Sequence, residues 1–76
     1  MRDYLIALRK DNSMTQRDVA EQLGVSRQYY NMIENGERQQ RMDITLVAKI
    51  AILFKMEISD VVEYERKYSS GKQKEV

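Results

Sequence analysis

The stretch TQRDVAEQLGVSRQYYNMIENG, from Thr15 to Gly36, decides the fold. Thr15 carries a hydroxyl able to cap the free amides of a helix start. Asp18, three residues on, adds negative charge at that positive end. Val19, Ala20 and Leu23 follow with the i, i+1, i+4 spacing of a short amphipathic helix. Gly24 comes at once, where a left-handed residue closes a helix at little cost. Ser26 is a second N-cap, Val25 can staple back onto the body, and Tyr30 and Ile33 face inward. Asn35-Gly36 is the second glycine stop. Between the two helices, Leu23-Gly24-Val25 leaves only about three residues to turn the corner, as two short helices meeting at a sharp angle require.

Outward from this pair, the pattern stays helical. A first helix is expected from about Arg2 to Asp11, with Tyr4, Leu5 and Leu8 on one face. Glu37 to Met42 reads as a polar loop, and Asp43 caps a fourth helix. On that helix Ile44, Val47, Ala48, Ala51 and Phe54 mark one face, and Leu46, Ile50 and Leu53 another. Apolar residues on two faces predict a helix surrounded by the others. A fifth helix starts near Glu57 or Ser59 and carries Ile58, Val61, Val62 and Tyr64. The run Ser69-Ser70-Gly71-Lys72-Gln73-Lys74 is polar and reads as frayed. The expectation is an all-α chain with one domain over residues 1–68 and a flexible tail over 69–76.

Composition narrows the function. Seventy-six residues leave room for one core, and such a small domain gains from efficient packing or oligomerisation. Proline, cysteine and histidine are all absent. Disulfides, thiolate nucleophiles and the usual zinc ligands and general bases are therefore excluded, so neither an enzyme nor a metal or other cofactor is expected. The chain has no apolar run of about eighteen residues and no secretory leader pattern, which predicts a soluble, cytoplasmic protein. Thirteen basic against twelve acidic residues leave a net charge of +1. That total points weakly to nucleic acid; distribution matters more, with Arg27, Arg38 and Arg41 gathered near one edge.

Gln16, Ala20, Gly24-Val25-Ser26, Tyr30, Ile33 and Glu34-Asn35-Gly36 together resemble the Cro and phage-repressor type of helix-turn-helix, the XRE family. The resemblance covers about Tyr4 to Val62. It implies a five-helix, lambda-repressor-like DNA-binding domain whose third helix enters the major groove N-terminus first. Ala20 must be small where helices two and three cross. Leu23, Tyr30 and Ile33 hold the reading helix at a fixed angle. Three departures stand out: Tyr30 where the family has Ile or Val, Lys55 in place of a glycine after helix four, and a loop after Gly36 that is one or two residues longer.

The resemblance also implies contacts. Arg27, Gln28, Met32 and Asn31 match base-contacting positions. Arg27 suits guanine O6 and N7, Gln28 adenine N6 and N7, and Met32 a thymine methyl. Gln16, Tyr29, the amide near Asn35, Arg38 and Arg41 match the phosphate contacts. Met32 is equally suited to core packing, Tyr29 to either environment, and Arg38 and Arg41 to a solvated loop. Arg9 and Glu34 are implied as an ion pair that orients the third helix. The expected function is a homodimeric transcriptional regulator, a repressor, on an inverted-repeat operator in double-stranded DNA, with helix five and Tyr64 to Tyr68 as the dimer surface. The competing reading is an antitoxin or other protein-binding module that uses its helix-turn-helix for autoregulation.

Overall fold

Thr15, Ser26 and Asp43 have extended backbones, and each side chain accepts a hydrogen bond from the amide three residues on. The partners are Asp18 N at 3.1 Å, Tyr29 N at 3.0 Å and Leu46 N at 2.8 Å. Asp18 completes the exchange by accepting from Thr15 N at 2.9 Å, so two amides of that helix start are satisfied reciprocally. Near Glu57 the signal is weaker: Asp60 accepts from Glu57 N at 3.2 Å, half of the same device.

These starts define the architecture in the computed structural model, which describes residues 1–73, with side chains to 70. The elements are α1 (Asp3–Asp11), α2 (Gln16–Leu23), α3 (Arg27–Asn35), α4 (Ile44–Leu53) and α5 (Ile58–Gln73). No strand occurs among the described residues, so the fold is all-α.

The stops are as regular as the starts. Gly24 (φ +74°) and Gly36 (φ +83°) take the left-handed conformation. Each donates to the carbonyl three residues back, and the next amide reaches the carbonyl five back. Ser13 and Lys55 close α1 and α4 with the same pair of bonds at φ +55°, without being glycine. Lys55, one of the three departures from the pattern that the sequence resembles, thus occupies a left-handed site.

The chain divides into two compact units, Met1–Arg41 and Met42–Val76. In the first, α3 packs on α2 and α1, and Leu5, Val19, Ala20, Leu23, Tyr30 and Ile33 are buried. In the second, α4 packs on α5, with Leu46, Val47, Ile50, Ala51 and Val61 buried. Both apolar faces of α4 contribute to the buried set. Ile44 does not: assigned to an inner face by its spacing, it is 67% exposed, because it opens the helix beyond the end of the buried stripe.

The helix α5 runs past Tyr68, so Ser69 and Ser70, which read as the start of a tail, are helical. Once a helix is nucleated, polar residues extend it by backbone bonding alone. Residues 74–76 of that expected tail lie outside the described residues. Among the described residues no helix is long and apolar enough to cross a membrane.

Candidate nucleic-acid interface

Two faces divide α3 cleanly. Tyr30, Ile33 and Glu34 point inward and are all but sealed from solvent. Arg27 and Gln28 are exposed on the first turn, and Asn31, Met32 and Asn35 follow on the same side, half-buried. Such a helix cannot rotate to hide its outer stripe without exposing Ile33 and a buried charge. A shallow depression of about 230 Å³ opens on that outer side, lined by Ser26, Gln28, Tyr29, Met32 and Arg38. Met32 is therefore a wall of a surface depression, and Arg38, exposed, stands at its edge. Arg41 is exposed too, but it is not among the residues lining the depression.

The inner face is held by charge. Arg9 Nε donates to Glu34 Oε2 at 2.8 Å, and Arg9 Nη2 to Glu34 Oε1 at 3.4 Å. The carboxylate is 2% exposed and the guanidinium side chain 14%. Burial acts to raise the Glu34 pKa, but the hydrogen bonds from Arg9 and Gln16, with the nearby Arg9 charge, outweigh it and hold the carboxyl below its usual range. The bond to Glu34 raises that of Arg9 in turn. The Tyr30 hydroxyl is buried beside this pair without completing a hydrogen bond of normal geometry. Burial, and then the neighbouring carboxylate, push its pKa far up, so the phenol keeps its proton.

From Glu34 a chain of amides runs outward to the exposed stripe. Gln16 Nε2 donates to Glu34 Oε1 at 2.9 Å, Asn31 Nδ2 to Gln16 Oε1 at 3.3 Å, and Asn35 Nδ2 to Asn31 Oδ1 at 3.2 Å. Gln16, Asn31 and Asn35 are thus brought together and oriented from within. Gln16 retains a second amide hydrogen beyond the one given to Glu34. Tyr29 is fixed separately, its hydroxyl accepting from Gln39 Nε2 at 2.9 Å. That bond uses an acceptor lone pair and leaves the hydroxyl hydrogen to donate elsewhere.

Sequence reasoning missed Arg2 and Gln39. Arg2 is fully buried. Its Nη1 donates to Ile33 O at 2.7 Å and Arg38 O at 3.2 Å, its Nη2 to Gln39 O, and its backbone N to Glu34 O at 2.7 Å. The acceptors are carbonyls, which every residue carries, so no pattern of residue types marks them. The positive charge sits at the C-terminal end of α3, where the helix dipole favours a cation.

The model of a family described as Helix-turn-helix matches residues 5–61. An uncharacterized HTH-type transcriptional regulator of Methanocaldococcus jannaschii is 38% identical over 65 residues, covering 86% of this chain and 96% of the relative. No solved structure matches the chain.

Proposed function

Because this chain belongs to the helix-turn-helix family of Cro and phage-repressor type, whose work is DNA-binding transcription regulation, we propose that it is a sequence-specific repressor that lays α3 in the major groove of an operator half-site. The observation that carries this reading is the outer stripe of α3. Arg27, Gln28, Asn31 and Met32 are presented on a helix whose opposite face is locked by Tyr30, Ile33 and the Arg9–Glu34 pair.

In this reading Arg27 pairs with guanine, Gln28 with adenine, and Met32 packs on a thymine methyl, with Asn31 beside them. The backbone grip comes from Arg38, Arg41, the amide at Asn35, the spare hydrogen of Gln16 and the hydroxyl of Tyr29. One copy makes few base contacts. A homodimer through the exposed Ile58 and Val62 of α5, one turn apart, adds a second half-site about 34 Å away. The site of action is cytoplasmic DNA.

Selection of duplexes from a random library at two salt concentrations tests the proposal. Enrichment of an inverted repeat is the expected result, with affinity that falls as salt rises. Equal affinity for every duplex at low ionic strength would remove the base-reading role of α3.

A further inference from the structure

We propose that Arg2 is a positioning residue for the DNA interface: it bolts the loop bearing Arg38 to the end of α3, so that base reading and phosphate grip move as one rigid body. The inference rests on the DNA-binding reading above. Its basis is the placement of one fully buried guanidinium beneath three carbonyls from two segments. Ile33 O belongs to the last turn of α3, whereas Arg38 O and Gln39 O belong to the loop after Gly36. A planar guanidinium donates in fixed directions, so a loop that satisfies it has little freedom to shift.

The other side of the loop is tied as well. Gln39, itself at φ +55°, donates from its side chain to the Tyr29 hydroxyl on α3. The loop is thus tied both by Arg2 and by Tyr29, and it carries Arg38, which lines the depression together with Gln28 and Met32. Burying a guanidinium is costly unless its donors are satisfied. Here two loop carbonyls, with Ile33 O of α3, accept from the guanidinium, so loop position and Arg2 burial form one cooperative arrangement. Without the bolt, Arg38 remains in the chain, but ordering its loop costs as much as a phosphate contact returns, so that contact is lost from the complex.

The test uses the full chain with Arg2→Met, Arg2→Lys, Arg38→Ala and the Arg2→Met/Arg38→Ala pair. Two probes serve: a random-sequence duplex and the best duplex from the selection above. Amide order parameters of residues 37–41 are read without DNA. Arg2→Met should loosen these amides and weaken binding about 5- to 10-fold near 0.1 M salt, the worth of one phosphate contact by counterion release. The slope of log affinity against log salt should shrink by about 0.9. Arg2→Lys keeps the charge but not the fork, and should fall between Met and the parent in both readouts. In the Arg38→Ala background, Arg2→Met should cost little more.

Independent, multiplying losses from the two sites, or loop amides as ordered in Arg2→Met as in the parent, would overturn the proposal. Should Arg2→Met be unfolded by circular dichroism, the same loosening and reduced slope are required of Arg2→Lys. A parent that binds neither duplex sinks the DNA reading and the proposal with it. A parent that binds, matched by an Arg2→Met variant that binds identically, sinks the proposal alone.

Discussion

Glu34 holds a charge in an almost sealed position, and its cost is met by donors from Arg9 and Gln16. Removing one partner of such a pair strands the other, a loss of about 3 to 5 kcal/mol. Thermal or urea unfolding of Arg9→Met should show a loss of that size, and Arg9→Met/Glu34→Leu less than the sum of the single losses. The acid response follows from the sign of the shift. A carboxyl whose folded pKa is lowered contributes stability above the unfolded value, about 4.3, and loses it as pH falls through the folded value. The stability gap between the parent and Glu34→Gln should therefore be full at neutral pH and close on acidification, as unfolding midpoints across pH will register. The two arginines proposed for base and phosphate contact, Arg27 on α3 and Arg38 on the loop after it, should separate in their effects. Arg27→Ala should cost about 1 to 3 kcal/mol on the selected duplex and relax one position of the site. Arg38→Ala should weaken selected and random duplexes alike.

At the scale of the element, four helices stop by one device, and the device uses glycine at only two of the four sites. A Cβ placed on Gly24 would meet nothing within 4 Å. Any cost of Gly24→Ala is therefore backbone strain alone, about 1 to 2 kcal/mol for an L-residue forced left-handed. Lys55 carries that strain already, at φ +55°. Lys55→Gly should stabilise by up to about 1 kcal/mol, since relief of strain exceeds the entropy that glycine loses. Calorimetry of the two variants should give shifts of opposite sign. The turn between α2 and α3 matters most, because it sets the angle at which Arg27 and Gln28 are presented.

At the scale of the molecule, each unit has its own buried set, and α5 leaves Ile58 (46%) and Val62 (48%), one turn apart, exposed on one side. A chain of 76 residues gains stability and site selectivity together if a second copy covers such a surface. Ile58→Asp/Val62→Asp places charge on that surface while leaving buried Val61 in place. It should abolish any dimer in sedimentation and lower affinity for a two-half-site operator by tenfold or more, about 1.4 kcal/mol. Binding to an isolated half-site should change little. Equal loss on both duplexes would place the helix in the DNA contact, not in the dimer.

Local chemistry was enough to read the helices. Thr15, Ser26 and Asp43 announce starts because their side chains act on amides within three residues. Gly24 and Gly36 announce stops because backbone conformation is a property of the residue itself. Arg27, Gln28, Asn31 and Met32 were singled out by the family resemblance, and helical spacing puts them on one side of α3. What the chain order could not reveal depends on groups distant along it: Arg2 meeting carbonyls 31 to 37 residues away, Gln39 reaching Tyr29, and the amide chain from Glu34 to Asn35. A backbone carbonyl has no residue identity, and a guanidinium looks the same in a sequence whether solvated or sealed. Only the packing of α1 on α3 decides which of these Arg2 becomes.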